Sequence, residues 1–546
     1  MTHAARPIPT SLIWQVTALT CLFAVELGLL FIIYISGPVA GHPDMPVDMC
    51  RFLASDTTFC TLTNFFYEMI FGGAVALLLL CLYQTHQITH AMRQARLASS
   101  LSPTWLAVHI GGVLLLSLPG LLAVSDPALI QSYGLAMWLG GALCAVIGVV
   151  FILATPAQWL EAAKRKPFWF VIIATISPLI GFYTLQASWQ IPLVTRTTFD
   201  GVAALLTILG YTPLYGDKYF VMGVEGFRVF VGHTCSGVQG LILTTTLLGS
   251  YLFLMSNHLR VARFAMLIPI ALILSYLLNT VRVALLIIVG ADISPELAID
   301  GFHSYAGWIM FLILNISIIV LVEKSTWFIK QTDPAPQAST TPFRQDPLAA
   351  YILPFIILMT TSLIAGAVIE VPALAYPARI AVVAAALWLF WPVLRGIKIT
   401  PDPLAIATGL AIGVVWIVVL RNTPADDILT HRLGALSAAA FTLWVTARLI
   451  GTSLIIPVVE ELFFRGYILA RLNTRNSLAT RLVALVVSSG LFAALHGDWI
   501  LAGLAGLCFG LLYLRRKNVS DAIIAHACAN ALIGAYALAT GQWQII

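Results

Sequence analysis

Residues 264–290 read FAMLIPIALILSYLLNTVRVALLIIVG, and Arg282 is their only charged residue. A helix needs about 20 apolar residues to cross a hydrocarbon core of roughly 30 Å, so this stretch is long enough to span a membrane. Similar stretches recur along the 546 residues, of which 60% are hydrophobic and 10% charged. Soluble domains average about 25% charged residues. The sequence therefore predicts an all-α, polytopic integral membrane protein without a sizeable soluble domain.

Apolar spans fall into two sets separated by a polar segment. The first set lies near residues 11–37, 64–83, 104–124, 132–155, 168–187, 236–256, 264–290 and 304–323. The second lies near 349–370, 378–394, 403–420, 434–449, 482–496, 499–514 and 521–540, with a further helical stretch at 452–470. Residues 331–347 are rich in Pro, Thr, Ser, Ala and Gln, which is typical of a linker. We expect two transmembrane helical domains, 1–325 and 349–546, joined by a cytoplasmic linker at 326–348.

The loops between the spans of the first set alternate between many and few basic residues. Loops 84–101, 157–167, 257–263 and 324–347 carry ten Lys or Arg, whereas loops 38–63, 125–131, 188–235 and 291–303 carry four. The positive-inside rule places the richer loops, and the N-terminus, in the cytoplasm. The first span is too long for a signal-peptide core and shows no A-x-A site, so we expect it to remain uncleaved. The net charge of +5 then reflects topology, and we expect no nucleic-acid partner.

The eight cysteines include no C-x-x-C pair, so we expect neither a zinc nor an iron–sulfur site, and no cofactor. Cys50 and Cys60 share a loop predicted to lie outside, where a disulfide is possible. The pairing of these two residues stays open.

Three reactive side chains are predicted to reach one membrane face. Arg282 lies 19 residues beyond Arg263, which marks a cytoplasmic edge. At 1.5 Å per residue, Arg282 lies about 28 Å further, near the outer surface. Cys235 and His303 each precede a span that runs from outside to inside. The number of residues in each span therefore predicts that a thiol, a guanidinium and an imidazole lie at a similar depth in the membrane.

These groups suit acyl transfer through a thioester. A cysteine thiolate is a nucleophile, His303 is the natural general base, and Arg282 can hold an oxyanion or a substrate carboxylate. His233 is a competing base, ranked second because it is only two residues from the thiol. The alternative is structural: a small buried cysteine, a snorkelling arginine and an interfacial histidine.

Three short motifs resemble the exosortases, bacterial inner-membrane cysteine enzymes thought to act as sortase-like transpeptidases. They are Cys235–Gly237 (CSG), Asn279–Arg282 (NTVR) and His303–Trp308 (HSYAGW). The resemblance covers roughly residues 10–325. It implies Cys235 as nucleophile, completed by Arg282 and His303, with cleavage on the periplasmic side. It also implies membrane-anchored precursor proteins whose C-terminal sorting signal has a short motif, one transmembrane helix and a basic tail.

A second group of polar side chains lies inside apolar stretches, where ionisable residues are costly and usually functional. Its members are Glu460, Glu461, Arg465, His496, His526 and Asn530. Glu461 and Arg465 are spaced i, i+4 and can pair along one helix face, whereas Glu460 points about 100° away from Glu461. His526 and Asn530 share a face at the same spacing.

Two mechanisms fit this second group. In one, a glutamate and a histidine activate water while the other histidine and the amide stabilise an oxyanion. In the other, glutamate and histidine ligate zinc, which is less favoured because no H-E-x-x-H motif is present. A buried polar network that only holds the helices together is the structural alternative.

The same group resembles the CPBP family, which includes the CAAX prenyl endopeptidases, through its E-E-x-x-x-R, F-x-x-x-H and H-x-x-x-N motifs. The resemblance covers roughly residues 440–540 and implies a metal-independent intramembrane glutamate protease. It implies that a glutamate and His496 activate water, with His526 and Asn530 near the oxyanion. By position we assign the base to Glu460. Straight helices would place His496 and His526 at different depths, so either the predicted span ends are wrong by a turn or two, or a helix there is broken or tilted.

Together the two halves resemble the exosortase E/protease fusions of the VPEID-CTERM type. The resemblance implies one site that cleaves a sorting signal and transfers the protein to an acceptor. The second site would cleave the remaining helix, the same precursor or an unrelated protein. A transporter or export scaffold with a non-catalytic polar network is the alternative, but ionisable residues concentrated at motif positions disfavour it.

Overall fold

The computed structural model describes residues 102–122, 127–189, 192–216, 221–231, 235, 237–330, 342–421, 427–473 and 478–546, with scattered positions between 19 and 80. The predicted spans at 11–37 and 64–83 lie largely outside these residues. So do Cys50, Cys60, His233 and residues 331–341 of the predicted linker.

Within the described residues, eleven helices are long and apolar enough to cross a membrane. The prediction of an all-α polytopic membrane protein is confirmed. Contacts divide the chain into two compact units: Met1–Ile180 with Thr474–Leu482, and Gly181–Asn473 with Val483–Ile546.

From residue 102 onward, the described helices before the predicted linker are α1 Pro103–Leu122, α2 Pro127–Leu153, α3 Pro156–Ala163, α4 Lys166–Trp189, α5 Pro192–Ile208, α6 Val238–Met255, α7 Val261–Ala265, α8 Leu267–Asp292 and α9 His303–Lys324. A π-helical turn, Leu297–Phe302, leads directly into α9. Between α5 and α6 lies an antiparallel sheet of β1 Leu214–Tyr215, β2 Val221–Val224 and β3 Phe227–Phe230, in that order. Its central register pairs Gly223 with both Leu214 and Arg228.

The helices after it are α10 Pro347–Val368, α11 Tyr376–Leu389, α12 Trp391–Leu394, α13 Pro403–Leu420, α14 Asp427–Gly434, α15 Ala438–Ile450, α16 Ile456–Glu461, α17 Ala470–Leu472, α18 Leu478–Ala493, α19 Trp499–Arg516 and α20 Val519–Thr540. Two π-helical segments, Gly451–Ile455 and Leu462–Leu469, join α15, α16 and α17 into one helical stretch, Ala438–Leu472. Short 3-10 turns occupy Phe343–Gln345, Pro372–Ala375 and Trp543–Ile545.

Most spans agree with the hydropathy pattern to within a few residues, and three differences matter for the sites. Helix α5 and the sheet lie in the stretch 188–235 that we expected to be a loop. Residues 434–449 and 452–470 belong to one continuous helical stretch, since π-helical turns bridge the gap between them. Helix α18 ends at Ala493 rather than at residue 496.

The sheet packs against α5 and α8 through a buried apolar cluster. Its members include Val202 and Leu206 from α5, Met222 and Val224 from β2, and Val283 and Ile287 from α8. Cys235 belongs to the same cluster. The sheet therefore positions the segment that carries the thiol.

Helices α9 and α10 pack closely because glycines lie at their contact. A Cβ atom added to Gly301 would lie 2.6 Å from the carbonyl oxygen of Gly366. One added to Gly366 would lie 2.8 Å from the Tyr305 ring. Small residues allow such close approach of membrane helices. Helices on either side of the predicted linker are therefore packed together within one unit.

Candidate active sites

Cys235 is buried, with 3% of its surface exposed, between the sheet and α8. Asn279 Nδ2 donates a hydrogen bond to the Cys235 carbonyl oxygen at 2.9 Å. Gly237 follows with φ +80°, and a Cβ there would lie 2.9 Å from Asn279 Nδ2. This left-handed conformation, disfavoured for residues with a side chain, lets the chain turn into α6. The Asn279 side chain of α8 thus helps to hold Cys235 in place.

His303 lies beside the thiol at the start of α9. Its Nδ1 is 3.9 Å from Cys235 Sγ, close enough for a weak S–H···N hydrogen bond in which the thiol donates. His303 precedes the apolar span Tyr305–Lys324. Burial lowers the pKa of His303 below its usual value, and the positive charge of Arg282 lowers it further. The imidazole is therefore neutral near pH 7 and can accept a proton.

Arg282 lies on α8 and reaches the first turn of α9. Its Nη1 atom lies 2.6 Å from the position that a Cβ on Gly307 would take, so the guanidinium fills space left by this glycine. Gly307 is one turn after His303 on the same helix. Arg282 Nε is buried without a hydrogen-bond partner. The guanidinium therefore keeps unused donor capacity next to the imidazole.

A cavity of about 370 Å³ adjoins these groups. It is lined by Gly237, Asn279, Arg282, His303 and Gly307, among others. Cys235 is not a lining residue, although its neighbour Gly237 is. The structure thus brings together Cys235, Arg282 and His303, the three residues predicted for the first site, with the thiol at the cavity edge.

In the second group, Glu461 and Arg465 form a fully buried ion pair. Arg465 Nη1 donates to Glu461 Oε1 at 2.9 Å, and both side chains have 0% exposure. Arg465 Nη2 donates to the Gly506 carbonyl at 2.9 Å. The guanidinium carbon also lies 4.7 Å from the Phe492 ring centroid. These contacts hold Glu461 in one orientation.

His526 connects the two glutamates. Its Nδ1 donates to Glu461 Oε1 at 3.0 Å, while Nε2 lies 4.0 Å from Glu460 Oε2. The imidazole stacks on Phe509 with ring centroids 4.9 Å apart. The bond to Glu461 assigns the Nδ1 proton, so Nε2 is the atom that faces Glu460.

Glu460 differs from its neighbour because it lines a cavity of about 230 Å³, together with His496, His526 and Asn530. The Oε2 atom of each glutamate is buried without a hydrogen-bond partner, but only Glu460 lines the cavity. A carboxylate oxygen left unpaired in an apolar environment is costly, and such groups concentrate at functional sites. Glu460, not Glu461, is therefore the carboxylate available to a molecule in this cavity.

His496 lies on the turn that follows α18, where the shorter helix ends. Its Nδ1 donates to the Phe492 carbonyl at 2.8 Å, which leaves Nε2 as the acceptor of a neutral imidazole. The Phe492 ring packs against both histidines, with its centroid 4.6 Å from that of the His496 ring and 5.6 Å from that of the His526 ring. Early termination of α18 thus brings both histidines to one cavity.

Asn530 is bound to the π-helical segment of the long helix. Its Nδ2 donates to the Thr452 carbonyl at 2.9 Å. A primary amide carries a second N–H, which stays available to another acceptor. Thr452 and Arg448 also line this cavity, and sequence reasoning missed both. Arg448 could have been found in the sequence by the criterion that identified Glu460, because it too is an ionisable residue within an apolar stretch.

Among the described residues, no group of three or more His, Cys, Asp or Glu side chains is arranged to hold a metal ion.

Two family models match separate parts of the chain. The transmembrane exosortase model matches residues 65–320, and the type II CAAX prenyl endopeptidase Rce1-like model matches residues 442–532. The first match contains Cys235, Arg282 and His303, and the second contains the six polar residues of the second group. The predicted resemblance to both families is confirmed. Searches of curated proteins and of solved structures gave no match.

Proposed function

Because the chain joins a transmembrane exosortase region to a CAAX endopeptidase-like region in one multi-pass membrane protein, we propose that it is a peptidase with two reaction centres. The first centre uses Cys235, Arg282 and His303. The second uses Glu460 and the two histidines, with Glu461, Arg465 and Asn530 in support.

At the first centre, the Cys235 thiol gives its proton to His303 Nδ1, and Sγ attacks the scissile carbonyl carbon. Arg282 stabilises the negative charge on the carbonyl oxygen. The leaving amine takes the proton from His303 as the C–N bond breaks, and a thioester to Cys235 forms. An amine or water then attacks the thioester and regenerates the thiol. Transfer to an amine makes the enzyme a transpeptidase, whereas water makes it a protease.

The proposed substrates of this centre are exported precursors with a C-terminal sorting signal. That signal consists of a short motif, one transmembrane helix and a basic tail. With the basic loops in the cytoplasm, Cys235 faces the periplasmic side of the bacterial inner membrane. A precursor anchored by its own helix would present the motif at that depth.

At the second centre, a water molecule donates a hydrogen bond to His496 Nε2 and gives its other proton to Glu460, and the resulting hydroxide attacks a peptide carbonyl. His526, as an imidazolium with protons on both Nδ1 and Nε2, and the free N–H of Asn530 donate to the oxyanion. Glu461 holds His526 through Nδ1 and is itself held by Arg465. The leaving amine takes the proton as the C–N bond breaks.

The 3.9 Å contact between Cys235 Sγ and His303 Nδ1, across 68 residues of sequence, carries the first assignment. We would co-express a tagged precursor with wild-type protein and with Cys235→Ala or Arg282→Ala. Processing should fall by about 10³-fold or more without the nucleophile. Cys508→Ala, in the second half, is the matched thiol control. Undiminished processing in Cys235→Ala would remove the assignment.

The Glu460 carboxylate lines a cavity with two histidines, and its Oε2 atom has no hydrogen-bond partner; this observation carries the second assignment. Glu460→Ala should leave formation of the Cys235-dependent product intact and block a separate cleavage. Mass spectrometry of precursor fragments from both strains distinguishes the two steps. An identical fragment pattern in wild-type and Glu460→Ala cells would contradict a second reaction centre.

A further inference from the structure

The cavity of the first centre continues from the catalytic groups into the membrane-spanning part of the fold. It lies between α6, α8 and α9. Helix α6 starts just after Cys235, and α9 starts at His303. At 1.5 Å per residue, Leu243 lies about 8 Å from the start of α6, and Leu314 lies about 16 Å from the start of α9. Both leucines line the cavity, which therefore extends well below the level of the thiol.

The wall of this cavity changes from polar to apolar with depth. Near the thiol it carries the side chains of Gln239, Asn279, Arg282 and His303. The deeper wall is formed largely by apolar side chains, those of Leu243, Leu278, Met310, Phe311 and Leu314. An occupant must therefore be polar beside the catalytic groups and apolar below them.

Packing of the helices limits the depth of the cavity. Leu314 is 8% exposed and belongs to a buried apolar cluster with Leu248 of α6 and Phe264 of α7. Asn315 Nδ2, next to Leu314, donates to Thr244 Oγ1 at 3.3 Å and joins α9 to α6 at this level. A cavity of about 370 Å³ lies at the small end of ligand pockets, so it accommodates a few residues and not a whole membrane helix.

A membrane-anchored precursor has one segment that runs in the direction of this cavity. In the proposed orientation, the exported part precedes the scissile bond and lies in the periplasm. The residues after the scissile bond lead into the precursor's own transmembrane helix. They must be unwound for cleavage, because a helical carbonyl is engaged in a hydrogen bond within its own helix. Unwound backbone at membrane depth needs polar partners in the protein, which the amides of Gln239 and Asn279 can supply.

We propose that the first residues after the scissile bond enter this cavity in an unwound conformation, and that the apolar part of the cavity selects their side chains by size. Leu243 and Met310, both outside the three motifs, set the available space. The inference rests on the proposed peptidase function of Cys235. It adds a specificity site for the part of the sorting signal that is released.

Exchanging size between cavity and precursor tests this proposal. Leu243→Phe fills part of the cavity, so processing of a tagged precursor with a large apolar residue after its motif should fall about tenfold or more. Replacing that precursor residue with alanine should restore processing by Leu243→Phe. Conversely, Leu243→Ala should process a precursor with tryptophan at this position faster than wild type does.

Leu247→Phe is the matched control, since this leucine of the same helix is 37% exposed and does not line the cavity. It should process every precursor at the wild-type rate. Equal losses for the large-residue and alanine precursors in Leu243→Phe would overturn the proposal, as would an unchanged size preference in Leu243→Ala.

Photocross-linking measures occupancy of the cavity without catalysis. A benzophenone amino acid would be placed at position 243 of the full-length Cys235→Ala protein, in membranes containing the tagged precursor. Mass spectrometry should locate the cross-link in the first few residues after the motif, and the same probe at position 247 should not give it. Cross-links to lipid alone, to residues before the motif, or to no part of the precursor would overturn the proposal. Cross-links after the motif without any processing by wild-type protein would support the cavity assignment and refute the peptidase function.

Discussion

Gly307 shows how one missing side chain shapes the first centre. A Cβ there would lie 2.6 Å from Arg282 Nη1, the mobile end of a long side chain. Gly307→Ala should therefore fold but displace the guanidinium. Misplacement by about 1 Å can cost roughly 10²-fold in rate, so processing at Cys235 should fall by 10- to 100-fold.

Gly249→Ala serves as the control for Gly307→Ala, because nothing lies within 4 Å of its added Cβ. Precursor processing at equal protein levels is the measurement. Equal rates in both variants would argue against a catalytic position for Arg282.

His303 predicts the pH dependence of the first centre. Burial and the charge of Arg282 lower the pKa of His303, so the neutral base persists below the usual value of about 6.5. Activity should be retained at pH 7 and lost on acidification through the lowered pKa. Arg282→Gln should raise the midpoint of this loss, because a neighbouring positive charge is removed. A pH profile of kcat/KM checks both statements, and a midpoint that moves down would contradict them.

Substitution of the two adjacent glutamates of the second centre should affect different properties: stability for Glu461 and cleavage for Glu460. Glu461→Gln leaves Arg465 buried without its carboxylate, which typically costs about 3–5 kcal/mol. Glu460→Gln leaves the Glu461–Arg465 pair intact and changes a side chain that lines the cavity, so stability should change little while cleavage stops. Thermal unfolding in detergent and cleavage of a peptide substrate separate the two effects. Comparable destabilisation by both substitutions would rule out this division of roles.

At the scale of elements, α8 holds the segment of Cys235 through a hydrogen bond from Asn279. Asn279→Ala removes that donor and leaves a carbonyl unpaired, which typically costs about 1–3 kcal/mol. We expect slower processing and faster reaction of Cys235 with a soluble thiol reagent. Ser275→Ala, one turn earlier and lining the same cavity, is the control. An unchanged labelling rate in Asn279→Ala would show that the sheet alone positions the thiol.

The helical stretch 438–472 positions its polar groups through its π-helical segments. A π turn contains an extra residue, which shifts the side chains beyond it around the helix axis. Such segments flank Ile456–Glu461 on both sides. Apolar periodicity identifies this stretch as helical, and the first of its π-helical segments accepts a hydrogen bond from Asn530 at the Thr452 carbonyl.

At the scale of the molecule, both centres belong to the unit formed by residues 181–473 and 483–546. Gly366 lies on α10, in the second half, and contacts Tyr305, two residues from His303. Gly366→Ala should displace the Tyr305 ring and lower both the unfolding temperature and processing at Cys235. Gly490→Ala, whose Cβ would meet no atom within 4 Å, is the control. Normal processing in Gly366→Ala would show that the two halves act independently.

Hydropathy and motif spacing alone led to the membrane class, to most of the spans and to the nine candidate side chains. These properties are local, because a run of about 20 apolar residues or an i, i+4 pair is complete within its own segment. The sheet at 214–230 and the end of α18 at Ala493 were not predictable in this way. They depend on contacts with α5, α8 and other helices far along the chain. The i, i+4 spacing already predicted that Glu461 can pair with Arg465. Only tertiary packing placed Glu460 beside a cavity with His496, His526 and Asn530, because these residues come from other parts of the chain.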